Sequence, residues 1–445
     1  MRDPQELAVW INLLLYCCLF LGFQLWARSV RLGSLALFIY AVSSIFGLVF
    51  FNSVLSNFSN LKIFPAIFLF VLFLIVVYPI IRFDTSKLWR ITFNYNVVYW
   101  LSMVIGAISI LPAIEVTFLL TKVSQMDQSI FAEIHRLKNE GEGTIDTLQL
   151  SGISKIMYVL ISRFSDVTPI LLFLQLASRK KDWKVIIALL IPIYCVNAMG
   201  VVQAGRSTLT YTVVYFLALY LIFKDFLPLN AKKAVRRYGI ILLSLVVGIF
   251  LFITFARYNQ KSVAADVPVI EWISLYAGEG TLYFNEFVWN MRGTTNGDYI
   301  FAYFKDLLDF KAFTDVVERR DYWVLKTNIP QHVFYTFIGA VIEDLGKTGG
   351  AVFLIFISFL ITRATNLARR FLTLSNIIIL CIWCKIVISG ITFYAYGGHN
   401  KTELLIVDLV FALVCVFYRN DASILNKTIE TLKAPKGQKR PEVIQ

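Results

Sequence analysis

Long apolar runs recur along this chain from one end to the other, and they constrain its fold more than any motif does. Uncharged or nearly uncharged runs of about 16 to 23 residues recur, and a helix needs about 20 apolar residues to cross a bilayer. Hydrophobic residues make up 58% of the chain and charged residues only 16%, which is too apolar for a soluble protein. The sequence therefore predicts an all-α polytopic membrane protein and excludes disulfide scaffolds, coiled coils and free nucleic-acid-binding proteins.

The apolar runs predict eleven transmembrane helices. Their approximate bounds are 7–27, 33–55, 63–81, 92–113, 156–177, 185–203, 208–223, 238–256, 349–362, 371–390 and 403–418. They divide the chain into residues 1–256 with eight spans and an outer loop at 114–155, residues 257–348 as a large outer loop with a half-helix near 332–345, residues 349–418 with three spans, and residues 419–445 as a basic cytoplasmic tail. The tail is polar, which predicts that it has no regular structure.

The positions of the basic residues predict the orientation of the chain. Segments after odd-numbered spans hold 23 of the 42 Lys and Arg residues but only 6 acidic residues. The short segments on the other side hold just Arg2, Lys62, Arg206 and Lys401. Because Lys and Arg accumulate in cytoplasmic segments, we predict that the N-terminus lies outside and the C-terminus lies in the cytoplasm. The net charge of +13 thus indicates orientation, not a nucleic-acid ligand.

Four charged residues lie inside or at the rim of predicted spans, where an unpaired charge costs ~2.5–3.5 kcal/mol. Arg163 and Asp166 are three residues apart in the fifth span, so we expect them on one helical face. They form either an intrahelical ion pair or part of a functional site. Lys385 in the tenth span and Asp408 in the eleventh are expected to pair across a helix interface, which favours a structural role.

Arg206 lies in the sequence VVQAGRSTLTY, a very short outer turn between two spans. Gly205 lets the backbone turn tightly, and Ser207 or Thr208 can cap the next helix. A guanidinium beside a helix N-terminus is a good receptor for phosphate, because its planar fork of donors adds to free backbone N–H groups. The alternative is an arginine that extends from the rim to lipid headgroups.

The large outer loop at 257–348 is the predicted substrate platform. Turn-rich segments separate its helical stretches, so we expect short helices that lie over the membrane mouth. Residues 328–356 combine a polar entry, a short apolar helix and the acids Glu343 and Asp344 before several glycines. This pattern predicts a half-helix or re-entrant element whose backbone lines a cavity. His399 is predicted on the same face, although a lone histidine is more often structural.

Three segments carry a resemblance to a known family. They are AGRST at 204–208, the aromatic YFNEF stretch in the large outer loop, and NIPQHVFYTFIGAVIEDLGKTGG before the ninth predicted span. Together with the topology, they resemble the bacterial O-antigen polymerases, also called oligosaccharide repeat-unit polymerases of the Wzy type. The resemblance implies a GT-C-like polymerase or ligase architecture.

The resemblance also implies a glycosyltransferase in the bacterial cytoplasmic (inner) membrane, with its active site on the outer face. A growing glycan on undecaprenyl diphosphate would pass to the non-reducing sugar of a second lipid-linked repeat unit, in the synthesis of lipopolysaccharide O-antigen or capsule. The implied partners are these two lipid-linked oligosaccharides, a chain-length regulator, a flippase and the lipid bilayer. No nucleic acid, cofactor or metal is expected.

Such a reaction needs a clamp for the diphosphate and a group that deprotonates or orients a sugar hydroxyl. For the clamp and the glycan we select Arg206, Arg163, Arg257, Arg292 and Glu286. For hydroxyl activation we select Asp344 first, where the family pattern places an acid, and then Glu343 and His399.

Two other functions remain open. A lipid-linked-glycan ligase of the O-antigen ligase type would share the membrane fold and the arginines but would transfer the finished glycan to a different acceptor. A lipid-linked-oligosaccharide flippase or transporter needs a polar path across the bilayer and usually has short loops, whereas one outer loop here has about 92 residues.

Overall fold

The computed structural model of the chain describes residues 3–126, 134, 148–178, 181–203, 205–258, 267–310, 316–330, 333–366, 370–417 and 422–426. Its first nine helices are α1 (Pro4–Ala27), α2 (Leu32–Phe51), α3 (Ile63–Arg82), α4 (Tyr95–Ser124), α5 (Gly152–Ser162), α6 (Val167–Ala177), α7 (Trp183–Val202), α8 (Arg206–Phe223) and α9 (Leu229–Tyr258). The next six are α10 (Val269–Tyr283), α11 (Ala302–Leu307), α12 (Val316–Thr327), α13 (Phe337–Ala364), α14 (Leu374–Ser389) and α15 (His399–Phe417). The strands are β1 (Arg90–Asn94), β2 (Phe371–Thr373) and β3 (Ala422–Asn426).

Seven helices of the described chain are long and apolar enough to cross a membrane, namely α1, α2, α3, α4, α7, α9 and α13. The bent pair α5 and α6 makes an eighth if it is counted as one span. Residues 208–223 of α8 and all of α14 are apolar but shorter. The chain is therefore a predominantly helical, multi-pass membrane protein, as its apolar runs predict. The count of eleven spans stays a prediction.

α4 is longer than the fourth predicted span. It runs to Ser124 instead of ending near 113, because the apolar pattern continues through ILPAIEVTFLLTKV. At 1.5 Å per residue, a helix of this length extends about 45 Å, more than the hydrocarbon core of about 30 Å. The predicted outer loop at 114–155 thus begins as helix, and its residues 127–133 and 135–147 lie outside the described part of the chain.

α10 packs against α2. Gly278 of α10 approaches Gly47 of α2 so closely that a Cβ atom on Gly278 would lie 2.4 Å from the Gly47 nitrogen. The Ser43 hydroxyl on α2 also donates to the Ala277 carbonyl over 2.6 Å. These contacts hold α10 along α2, and the expectation that helices of the loop at 257–348 lie over the membrane mouth stays a prediction.

α13 is interrupted within its glycine-rich part. Gly346 has φ 77° and ψ 165°, a left-handed conformation that favours glycine. It separates a short helical stretch from the longer one that follows. Thr336 caps the first stretch by accepting a hydrogen bond from the Gly339 N–H over 3.2 Å. The helix begins at Phe337, several residues after the start of the half-helix predicted near 332–345.

A three-stranded sheet connects the segments that follow α3, α13 and α15. Its order is β2-β1-β3, with β1 parallel to β2 and antiparallel to β3. Arg90 of β1 pairs with Phe371 in one ladder and with Asn426 in the other. The apolar pattern does not predict these strands, and the expectation of an unstructured tail is wrong for residues 422–426. Residues 427–445 of the tail lie outside the described part.

Candidate functional site

The fifth predicted span is broken in the middle. α5 and α6 meet at an angle of 66°, and tight turns link them. The Arg163 N–H donates to the Leu160 carbonyl and the Ser165 N–H to the Ser162 carbonyl, each over 3.2 Å. Asp166 stands at the start of α6. Arg163 and Asp166 therefore do not share a helical face, and the interpretation of an intrahelical ion pair is wrong.

Asp166 is bound to side chains from three other parts of the chain. Its carboxylate accepts hydrogen bonds from the Lys385 ammonium over 2.6 and 2.7 Å and from the Tyr396 hydroxyl over 2.8 Å. Its backbone carbonyl accepts one from the Tyr215 hydroxyl over 3.1 Å. Lys385 lies on α14, Tyr215 on α8 and Tyr396 in the turn before α15. The break in the fifth span thus joins three elements.

Asp408 of α15 completes this buried cluster. It is fully buried, and its Oδ2 atom lies 3.4 Å from the Tyr396 hydroxyl. Its Oδ1 atom has no hydrogen-bond partner among the described residues. The expected ion pair between Lys385 and Asp408 is wrong, because the ammonium binds Asp166 instead. The ion pair of Asp166 and Lys385 therefore lies next to a second buried carboxyl group, that of Asp408, an arrangement whose cost marks functional sites in membrane proteins.

Arg163 also pairs outside its own helix. Its guanidinium forms a salt bridge with Glu403 of α15, and the two side chains are 18% and 33% exposed. α15 is thus bound directly to the broken span by Glu403 near its start, and Asp408 in its middle is linked to it through the Tyr396 hydroxyl, which also bonds Asp166. These pairings fix where α15 lies relative to α5 and α6.

A cavity of about 250 Å³ opens beside the cluster. The polar residues of its lining include Ser165, Asp166, Asn197, Thr208, Tyr211, Thr212, Lys385 and Lys401. Its apolar lining includes Pro169, Pro192, Ile193, Phe216, Phe393 and Leu404. The cavity can therefore bind a molecule that has both a charged and an apolar part.

The cavity reaches the first turn of α8 at Thr208. The N-cap residue is Gly205, which has no side chain to bond the first backbone N–H groups. Thr208 in the first turn lines the cavity, and it packs on Gly200, where a Cβ atom would lie 3.0 Å from it. A helix N-terminus without a side-chain cap attracts anions. α8 begins at Arg206, but the side chains of Arg206 and Ser207 lie outside the described part.

The start of α15 forms another part of the cavity wall. Lys401 lines it, with its ammonium 4.5 Å from the centre of the Phe393 ring. His399 is the first residue of α15, so the backbone places it two residues from Lys401. The side chain of His399 lies outside the described part. Two of the predicted residues, Arg206 and His399, thus begin helices that border the same cavity.

Glu343 and Asp344 lie in a different place, and the described lining of the cavity does not include them. Asp344 is almost fully buried and accepts hydrogen bonds from the Thr295 hydroxyl, the Ile300 N–H over 2.7 Å and the Tyr299 N–H over 3.3 Å. Glu343 accepts one from the Tyr335 hydroxyl. Asp344 therefore anchors the loop at 295–300, and its selection as the base stays a prediction.

This anchored loop supports the turn that carries Tyr396. The Gly398 N–H donates to the Tyr299 carbonyl over 2.9 Å. The Tyr299 ring packs on Gly397 so closely that a Cβ atom there would lie 2.1 Å from it. Asp344 is thus connected to the cavity indirectly, through the backbone of Tyr299 and the turn that follows α14.

The remaining predicted residues differ in their surroundings. Glu286 accepts hydrogen bonds from the Ser59 N–H and hydroxyl and from the Asn60 N–H, so it holds the connection between α2 and α3. Arg292 is exposed, and its backbone N–H donates to the Thr327 carbonyl over 3.1 Å. Arg257 lies near the end of α9, and its side chain lies outside the described part.

Sequence reasoning did not select Tyr396, Tyr215 or Lys401, although they border the cavity or bind Asp166. The aromatic and glycine pattern YAYGGHNK at 394–401 was the available signal. Among the described residues, no three His, Cys, Asp or Glu side chains are grouped so that they could hold a metal ion. Comparison of the chain with family models, curated proteins and solved structures gave no significant match.

Proposed function

We propose that this protein is a membrane glycosyltransferase that polymerises lipid-linked oligosaccharide repeat units. One observation carries the proposal: a single cavity joins Thr208, in the first turn of a helix whose N-cap Gly205 has no side chain, and Lys401 to apolar walls. This combination matches a polyprenyl diphosphate, whose phosphates need donors and whose isoprenoid chain needs apolar surface. The resemblance of the chain to Wzy-type polymerases supports the same substrate.

The diphosphate would bind at the start of α8. Backbone N–H groups of the first turn and the Lys401 ammonium would contact the phosphate oxygens, and Arg206 begins the same turn. Lys385 and Arg163 are paired with acids, so a bound diphosphate would compete with Asp166 and Glu403 for them. Donors placed in this way stabilise the charge that builds on a diphosphate leaving group.

The acceptor hydroxyl must lose its proton to a nearby base. Of the three candidates, His399 begins the helix that carries Lys401 into the cavity wall, whereas Asp344 and Glu343 bind other side chains away from it. We therefore rank His399 first and Asp344 second, the reverse of the order that the family pattern favours. A histidine also titrates nearest to neutral pH.

The proposed orientation follows the positive-inside rule. We propose that the chain has eleven spans and a GT-C-like architecture in the bacterial cytoplasmic membrane. The cavity would then lie on the outer face and the C-terminus in the cytoplasm. In this arrangement, α8 and α15 both begin at the outer side, where a flipped lipid-linked unit is available.

A second candidate function is transport of a lipid-linked oligosaccharide. The buried cluster of Asp166, Lys385 and Asp408 at a broken helix favours it, because proton-coupled transporters place ionisable groups at such breaks. Polymerisation proceeds in detergent solution, whereas transport needs two compartments, so the two functions separate in a purified system.

The test uses the full-length protein in detergent with lipid-linked repeat units that carry a fluorescent label. Extended glycans should form a ladder on a gel. Lys401→Ala should slow extension roughly tenfold to hundredfold, since it removes one charge-assisted contact to the diphosphate. Lys62→Ala is the matched control, because Lys62 is exposed and predicted on the same side. Failure of the native protein to extend any unit would reject the polymerase proposal, and transfer to another lipid acceptor would indicate a ligase.

A further inference from the structure

A second cavity, of about 240 Å³, lies between the C-terminal ends of α3 and α13. Its lining includes Pro79, Arg82, Lys87, Thr362, Thr365 and Asn366. The first two belong to the last turns of α3, the third follows that helix, and the others lie at or just beyond the end of α13. This cavity is separate from the one beside Asp166 and shares no lining residue with it.

The walls of this cavity are held together by hydrogen bonds. Beyond the helix ends, the Trp89 N–H donates to the Arg370 carbonyl over 2.8 Å, next to the parallel pairing of β1 with β2. Within the helices, one to two turns before their C-terminal ends, the Ser358 hydroxyl of α13 donates to the Ile75 carbonyl of α3 over 2.6 Å. Hydrogen bonds therefore join α3 to α13, and the segments that follow them, close to the cavity.

The polar lining suits an anion. Arg82 and Lys87 provide two positive charges, and Asp84 between them is bound to Arg31 over 2.9 Å. The Thr365 hydroxyl donates to its own helix, so it is not a donor for a ligand. Two helix C-termini place partial negative charge at this end, so an anion here depends on the arginine and the lysine. A guanidinium and an ammonium together match one phosphate group.

The cavity also adjoins surface that is suited to lipid. α3 and α13 are both long, apolar helices, and their side chains Tyr78 and Phe359 are 50% and 59% exposed. The charge distribution predicts that this end is cytoplasmic, where anionic lipids are concentrated and where basic pockets between transmembrane helices bind lipid headgroups. We propose that this cavity binds the phosphate group of an anionic phospholipid, with Arg82 and Lys87 as its donors.

Titration of the full-length protein in neutral detergent tests this proposal. Binding of phosphatidylglycerol and of phosphatidylcholine with the same acyl chains is measured by native mass spectrometry and by the shift in unfolding temperature. Phosphatidylglycerol should bind at least about tenfold more tightly. The double variant Arg82→Gln, Lys87→Gln should lose about tenfold in affinity for it, since both charge-assisted contacts are removed. The swap Arg82→Lys, Lys87→Arg keeps both charges and should retain binding.

The double variant Lys233→Gln, Arg236→Gln is the matched control, because it removes two exposed charges from the same predicted side. An equal loss in the control would show a general charge effect and overturn the site. Equal binding of the two lipids would also overturn it. Inorganic phosphate should not displace the lipid at equal concentration, and displacement would mean that the cavity binds soluble phosphate instead. Loss of binding in the charge-preserving swap would also count against the two donors.

Discussion

Ser358 on α13 donates its hydroxyl hydrogen to the Ile75 carbonyl on α3 over 2.6 Å. Ile75 lies four residues before Pro79, whose nitrogen carries no hydrogen, so α3 itself cannot bond this carbonyl in the usual way. Ser358 is buried. A side chain of one helix therefore replaces the bond that proline removes from another, as is required where no water is available.

This relationship predicts a specific coupling between two substitutions. Ser358→Ala should lower the free energy of unfolding by about 1–3 kcal/mol, because it leaves a buried carbonyl without a donor. In the Pro79→Ala background the cost should be smaller, since the new N–H can bond Ile75. Unfolding temperatures of the four proteins in detergent measure the coupling. Ser102→Ala is the control, because Ser102 bonds its own helix. Additive effects of the two substitutions would contradict the replacement.

The ion pair of Asp166 and Lys385 predicts that substitutions can change the stability of the protein and its glycan extension separately. Each of Asp166→Asn and Lys385→Met should cost about 3–5 kcal/mol, because it leaves a buried charge without its partner. The double variant should recover much of this stability. It should still extend glycans at least about tenfold more slowly, since Lys385 lines the cavity and its charge is lost. Full activity in the recovered double variant would make the pair structural only.

Glu279 of α10 predicts how stability depends on pH. It is almost fully buried, and its Oε1 atom has no hydrogen-bond partner among the described residues. α10 is not one of the spanning helices, and burial raises the pKa of Glu279 from 4.5 to about 9. The folded protein therefore keeps a proton that the unfolded chain releases above pH 4.5. The stability that this proton contributes is complete below pH 4.5 and is lost as pH rises towards 9.

Glu279→Gln stays neutral at every pH and should remove this dependence. We expect its unfolding temperature to match that of the native protein near pH 4.5 and to exceed it near pH 8. Thermal unfolding in buffered detergent across this range is the measurement. Glu318→Gln, at an exposed position on α12, should leave the native pH profile unchanged. If the unfolding temperature of the Glu279→Gln variant depends on pH as that of the native protein does, Glu279 is not a buried, protonated carboxyl.

Two substitutions test whether Asp344 anchors its loop or acts as the catalytic base. Thr295→Val removes the hydrogen bond to Asp344. Asp344→Asn replaces one of the two acceptor oxygens with a donor, so it cannot keep all three bonds from Thr295, Tyr299 and Ile300. Each substitution should cost about 1–3 kcal/mol of stability. If Asp344 only anchors its loop, the two variants should lose glycan extension in parallel with their unfolding temperatures. A loss at least about tenfold greater for Asp344→Asn, at a temperature where both are folded, would restore Asp344 as the base.

The predicted orientation can be tested without purification. A reporter that is active only in the cytoplasm should work when it is fused after Arg90, Arg237 or Arg370. It should fail when it is fused within 260–330, because the basic segments place that loop outside. Activity at 260–330 would reverse the orientation, and the cavity beside Lys401 would then face the cytoplasm.

Local sequence determined the class of the protein, the long apolar helices and the position of the turn before α8. These depend on composition and on short-range patterns, such as the glycine and hydroxyl residues around Arg206. The acids and bases inside spans were also recognisable, since a charge in an apolar run stands out. Their partners were not recognisable, because helices distant in sequence bring them together.

Only the tertiary structure decided that Lys385 binds Asp166 and that Arg163 binds Glu403. The 66° bend between α5 and α6 turns the two charges of the fifth span towards different helices, and no local pattern specifies that angle. The three-stranded sheet has the same origin, since its strands come from three distant segments. Contacts between such segments depend on how all the helices pack, and packing is a property of the whole bundle.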